Sequence, residues 1–338
     1  MNSLERIQAA LRREPLDRVP TFEWLIDRKV IDALTPGGAS HAAFCARWTD
    51  AVCVDINYSA QKLPDGKIKD EWGMVKEYTT EAHSFPVDGP IKRMEDLEGY
   101  TPPDPEAPGR FAELKDALTK YGKDKAVILH MNDVWSLPSR MMPFDDFMML
   151  IIDQPEFIRS LVKMTVDAQI ELAWQAAKTG VKFLYTGDDI AYNNGPMISP
   201  AVFREIFFPE LKRIVRAYKD LGFLVIKHTD GNIMPLLDMY LEAGFDCLDP
   251  IDPIAGMDLE FMKKNYGDVI SLKGNVNCAT TLVSGSVDDV VSETKHCLRV
   301  AKGKTGYIAS SSNSIHSSVK PENYRVMLEV IFEQGRYT

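Results

Sequence analysis

Residues Phe223 to Ile233 read FLVIKHTDGNI, and the fold follows from this stretch. Phe223 to Ile226 is a short apolar run with β-branched members, the composition of a strand buried on both faces. At Lys227 the run gives way to His228, Thr229, Asp230, Gly231 and Asn232. A strand that stops in His-x-Asp-Gly projects an imidazole and a carboxylate from one side of its end. Such a pair can bind a metal or move a proton.

On both sides of this stretch the same figure recurs: a short apolar run, a polar end, then helical spacing. Ala51 to Ile56 ends at Asn57, and Ala126 to Leu129 ends at His130, Asn132 and Asp133. Lys182 to Tyr185 ends at Gly187, Asp188 and Asp189, and Cys247-Leu248 ends at Asp249 and Asp252. Val269 to Leu272 ends at Gly274, Asn275 and Asn277, and Gly306 to Ala309 ends in Ser310 to Asn313. With the segment ending at Phe22-Glu23-Trp24, that makes eight units. Eight strand–helix units predict an α/β fold, the (β/α)8 barrel. A doubly wound sheet would want a Gly-rich first turn, which Phe22-Glu23-Trp24 is not. Ser3 is a candidate cap for an N-terminal helix running to Arg13, and further helices are expected at Arg28 to Leu34 and His41 to Trp48. Glycines and prolines from Lys62 to Pro108 predict a β-hairpin excursion after strand 2. The expectation is therefore one distorted barrel domain over 1–338, with an insertion at about 60–110.

Composition narrows the function classes. The chain has 338 residues, 45% hydrophobic and 26% charged, with a net charge of −10 and no Lys/Arg block. Nucleic acid is thus an unsuitable partner. No apolar run approaches the length of about 18 residues that a membrane span needs. The five cysteines are scattered, without a CxxC, and read as buried thiols of a reducing compartment. No signal-peptide core is expected near the N-terminus, so the predicted location is cytoplasmic.

In such barrels the site lies at the carboxyl ends of the strands. The mouth is rich in His and carboxylate, with few lysines or arginines, which suits a cation better than a phosphate, and Cys278 alone does not make a thiolate-rich site. Glu205 lies six residues beyond Ser199, early in a helix that starts at the mouth. Asp189, Glu205 and His228 therefore offer two carboxylates and one imidazole, a charge-balancing set with an open position. His130 and Asp230 are the candidates for orienting ligands or protonating a leaving group. Glu23, Asn57, Asp133, Asn275 and Asn313 are the candidates for contacting substrate.

Several segments carry a resemblance. LERIQAALRREPLDRVP (Leu4 to Pro20) looks like the opening of the uroporphyrinogen decarboxylase superfamily. Asp70-Glu71-Trp72-Gly73, Pro90-Ile91-Lys92, Asp188 to Pro209, His228-Thr229-Asp230-Gly231, Lys273 to Val276 and Lys320 to Asn323 are similar to its later landmarks. The decarboxylases resemble one another in an Arg-rich segment after the first strand; here Thr21 to Arg28 holds one arginine. The other branch comprises zinc methyltransferases that work with corrinoid proteins. Its coenzyme M-alkylating members bind zinc through His-x-Cys plus a later Cys. His228 matches the His, while Asp230 and, by position after the last strand, Asn313 stand in the cysteine places. Methyltransferases that demethylate methoxylated aromatics resemble the chain better, with a Glu, Glu, His zinc motif that Asp189, Glu205 and His228 echo in order. The resemblance implies a zinc-dependent O-demethylase component that passes a methyl group from a methoxylated small molecule to the Co(I) corrinoid of a partner protein. No corrinoid-binding Asp-x-His-x-x-Gly segment is present, so the corrinoid would come with that partner. The alternative is a tetrapyrrole decarboxylase, and a homodimer is left open.

Overall fold

The computed structural model describes residues 1–77, 85–302 and 304–337. Seven parallel strands form one curled sheet: β1 (Ala51–Val54), β2 (Ala126–Asn132), β3 (Phe183–Gly187), β4 (Leu224–His228), β5 (Cys247–Asp249), β6 (Ser271–Val276) and β7 (Tyr307–Ser311). Each pairs with the next in sequence order, and helical chain intervenes between successive strands. β1, β3 and β7 are wholly buried, as the apolar runs predict.

The expected first strand is reduced to a contact. Thr21 makes one parallel bridge to Ala309, the Ala309 N–H donates to Pro20 O at 2.9 Å, and the Asp50 N–H donates to Thr21 O at 2.7 Å. The segment thus lies between the two outer strands of the sheet. Pro20 has no N–H to give, and the Thr21 N–H goes to the Asp50 carboxylate at 2.9 Å, so no ladder extends.

Two cores flank the sheet. The outer one packs strands against helices, with Leu129, Leu184, Val225 and Leu248 facing Phe157, Leu161, Leu211 and Tyr218. The inner one gathers Phe22, Cys53, Ile128, Phe183, Tyr185, Ile226, Cys247 and Ile308. It is continuous with Ile7, Ala10 and Leu11 of the first helix, Ser3–Arg12. Asn2, rather than Ser3, caps that helix in a reciprocal pair with Glu5.

Where a hairpin excursion is expected, a four-stranded antiparallel sheet forms from Ala60–Lys62, Ile68–Asp70, Val75–Glu77 and Phe85–Asp88. The single helix expected after Ser199 is broken in three: Pro200–Val202, a π-helical turn Phe203–Phe207, and Phe208–Asp220. β2 and β4 run further than expected, so His130, Asn132 and His228 lie within strands.

Candidate functional site

The register of the sheet sets the site. Asn132, Gly187, His228 and Asp249 are neighbours across β2 to β5. Gly187 brings no side chain to this row, and that lets two imidazoles in. A Cβ there would lie 3.4 Å from His130 Nε2 and 4.0 Å from His228 Cδ2. Trp24 lines the same wall, its ring centroid 4.3 Å from His130, 5.5 Å from Tyr185 and 6.1 Å from His228.

His228 is buried and oriented from behind. Its Nδ1 lies 2.8 Å from Asp249 Oδ2, and Asp249 also accepts from Lys273 Nζ at 2.7 Å and from the Tyr185 hydroxyl at 2.5 Å. Burial works to raise the Asp249 pKa, but Lys273 and His228 outweigh it and hold the carboxyl at about 2. An ionised Asp249 can only accept, so the Nδ1 proton stays on the ring and Nε2 faces the other way. Facing it are Asp230 Oδ1 at 3.5 Å and Asp189 Oδ1 at 3.8 Å. One donor atom from each of Asp189, His228 and Asp230 falls within 4.8 Å of the others.

The electrostatics of this trio call for a positive charge. Burial alone would lower the imidazole pKa; Asp230, Asp249 and Asp189 outweigh it and raise it to about 9. Burial and Asp189 push Asp230 up to about 6 against the pull of His228. Asp230 Oδ1 is buried with no hydrogen-bond partner, while Asp230 Oδ2 accepts from Asn313 Nδ2 at 2.7 Å. A divalent cation fits this place: it would take over the extra proton's role at Nε2 and satisfy the orphaned oxygen.

Of the expected ligands, Asp189 and His228 are brought together and Glu205 is not. Glu205 sits in the π-helical turn, 71% exposed, with its carboxylate 2.6 Å from Arg159. Asp230 stands in the third place instead. No thiol joins the group. Cys278 lies behind it, its Sγ accepting from Ser312 Oγ at 3.4 Å, and burial pushes its pKa to about 11.

The remaining expected residues divide sharply. Asn313 reaches the group through Asp230, and His130 is held by Asp55, Nδ1 to Oδ1 2.8 Å. Asp133 faces away. Lys227 projects opposite to His228 by strand alternation and meets Asp133 at 2.5 Å and Asp188 at 2.6 Å, all three fully buried. Burial and the neighbouring Asp133 raise the Asp188 pKa well above the usual range; burial opposes ionisation of Asp133, but Lys227 holds it low. Asn57 instead accepts from the Glu113 N–H at 3.0 Å, at the start of helix Ala112–Tyr121. Asn275 donates to Ile251 O at 3.0 Å and accepts from the Cys297 thiol. Glu23 is closed in by Ser311, whose N–H and hydroxyl donate to its two oxygens at 2.8 and 2.9 Å; burial pushes its pKa up to about 7. Asp249, read above only as a strand end, completes the setting with Lys273, Tyr185 and Trp24, none of which was given a role from the sequence. Only the lysine in the run SLKGNV signals that an inward charge needs a partner.

The model of the family described as uroporphyrinogen decarboxylase (URO-D) matches residues 72–334. The chain belongs to that family. Methylcobamide:CoM methyltransferase MtaA of Methanosarcina barkeri is 24% identical over 191 residues, 56% of this chain and 54% of its own length. The chain thus spans about half the length of that relative. Methylcobamide:CoM methyltransferase MtbA of Methanosarcina acetivorans is 23% identical over 353 residues, 96% of each chain. A solved methyltransferase from Methanosarcina mazei superposes with a TM-score of 0.78 over 99% of both chains at 20% identity, a likeness of fold. Family and fold agree with the corrinoid-linked, URO-D-like resemblance, and no helix among the described residues is long and apolar enough to cross a membrane.

Proposed function

We propose that the protein moves a methyl group from a methoxylated small molecule, an aromatic ether, to the reduced corrinoid of a partner protein. One observation carries the reading: Asp230 and Asn313, which stand where the thiol-alkylating members resemble one another in cysteine, are bonded to each other beside His228. The group is thus built from oxygen and nitrogen donors alone. Asp189, His228 and Asp230 would hold a divalent metal, zinc by the resemblance. When bound, it supplies Lewis acidity to an ether oxygen, for which hard donors suit it better than thiolates. Asp249 keeps the Nδ1 proton in place and presents Nε2, and Asn313 fixes Asp230. His130, set by Asp55, stands across Gly187 to protonate the departing oxygen. The five free cysteines support a reducing, cytoplasmic setting. The Pro20–Thr21 bridges support a single closed, distorted (β/α)8 domain over 1–338.

A tetrapyrrole decarboxylase is disfavoured by the acidic mouth, where Asp189 and Asp230 would repel a many-carboxylate substrate. The test is metal content and the spectral change of a reduced corrinoid protein given a methoxylated aromatic. His228→Ala and Asp230→Ala should lose metal and slow the change by roughly tenfold or more, whereas Glu205→Ala should keep both. Transfer only from a thiol or amine donor would overturn the ether reading, and equal, near-zero metal in wild type and His228→Ala would remove the Lewis acid.

A further inference from the structure

We infer that the molecule accepted at the mouth is an anion, a methoxylated aromatic carboxylate, and that Arg140 selects it; this rests on the methyl-transfer reading above. Two cavities adjoin the site. One, of about 230 Å3, reaches His130 and is walled by Tyr58, Trp72, Met74 and Leu137. The other, of about 220 Å3, reaches Asp189 and is walled by Trp135, Met142 and Phe144 together with Ser136 and Ser139. They share two residues, Pro86 and Arg140. Each is smaller than the usual drug-sized pocket, and the aromatic and aliphatic side chains on its wall, set among polar ones, suit a single substituted ring.

Charge then decides the chemistry of that ring. The carboxylates lining the cavities are Asp55, Asp70 and Asp189, and the cations are Lys76 and Arg140. Asp55 is bonded to His130, and Lys76 is paired with Asp70 at 2.7 Å. The Arg140 guanidinium makes no hydrogen bond, ion pair or ring contact among the described residues; its backbone N–H is engaged with Leu137 O and Pro138 O. A fork of donors with no partner among the described residues, at the junction of the two cavities, matches a carboxylate in bidentate geometry. The acidic end at Asp189 repels the same carboxylate. An aromatic acid is therefore oriented with its carboxylate on Arg140 and its methoxy group toward Asp189 and His130.

The backbone beside Arg140 is held in place. The Ile91 N–H donates to Met141 O at 3.1 Å, tying the chain after Phe85–Asp88 to the segment after β2. Gly89 makes this approach feasible, since a Cβ there would lie 2.0 Å from Met141 O. Arg140 is thus presented from a docked junction of two elements, not from a loose loop.

Binding of para-methoxybenzoate and para-methoxybenzamide to the full chain, followed by calorimetry without any corrinoid protein, tests the inference. The wild type should prefer the carboxylate on the order of tenfold, the scale of one charge-assisted pair. Arg140→Gln should abolish the preference by weakening the carboxylate alone, and Arg140→Lys should keep part of it. The exposed position predicts unchanged thermal midpoints in both variants. Equal affinity in the wild type, a preference that survives Arg140→Gln, or binding of neither compound would overturn the inference. Because no methyl transfer is read, a preference that holds while transfer fails would strike only the proposed function. Transfer from the amide as fast as from the carboxylate would strike only the role of Arg140.

Discussion

At the scale of the residue, the decisive feature is one imidazole among three carboxylates. Asp249 sits at Nδ1, and Asp189 and Asp230 sit near Nε2. The surplus of negative charge raises the His228 pKa to about 9, so at neutral pH the ring carries a second proton. A metal must displace that proton. Apparent zinc affinity should therefore rise with pH up to about 9 and fall by roughly tenfold for each unit below it. Below about 6, Asp230 adds its own proton and the fall should steepen. Competition titrations with a chromophoric chelator at several pH values measure this. A flat profile between neutrality and pH 9 would mean that zinc binds away from His228. Asp249→Asn should weaken binding by about 10- to 100-fold, the usual penalty for removing a carboxylate behind a ligating histidine.

At the scale of the element, the site depends on two loops that cross closely. Gly231 follows Asp230 with φ +85°, and a Cβ on it would lie 2.6 Å from the carbonyl carbon of Ala191, two residues beyond Asp189. Gly222, before β4, has φ +88° and nothing within 4 Å of the same position. Alanine at either site meets the left-handed strain of about 1–2 kcal/mol; only at Gly231 does it also force the two acidic loops apart. Gly231→Ala should thus cost clearly more in urea unfolding than Gly222→Ala, and it alone should reduce bound zinc. Equal costs, with zinc retained in both, would refute the idea that this crossing holds Asp189 against Asp230. Element scale is also where sequence reading loses precision. Glu205 looks inward if one helix runs on from Ser199, but the π-helical turn adds a residue to the local repeat and swings the carboxylate out to Arg159.

At the scale of the whole molecule, the parallel sheet was legible because each strand, buried on both faces, reads as an apolar run that stops abruptly at polar residues. His228 and Asp189 were legible because such stops gather polar groups at the carboxyl end of the sheet. Asp133 was not, because residues flanking a strand end can face either way, and only Lys227, whose burial needs a partner, reveals which. The end opposite the mouth makes the complementary case. Ile7, Ala10 and Leu11 of the first helix are fully buried against the inner core, and Ser271 Oγ donates to Ala10 O at 2.7 Å. In barrels the end opposite the strands' carboxyl ends serves stability, so changes there should spare the proposed metal group. Leu11→Ala should therefore cost about 2–5 kcal/mol as a large-to-small core substitution, against a typical total of about 5–15 kcal/mol. The protein that remains folded should still bind zinc with wild-type stoichiometry. Thermal or urea unfolding together with metal analysis separates the two effects. An unchanged midpoint would show that the helix is not part of the floor, and lost zinc in a folded variant would show that floor and mouth are coupled.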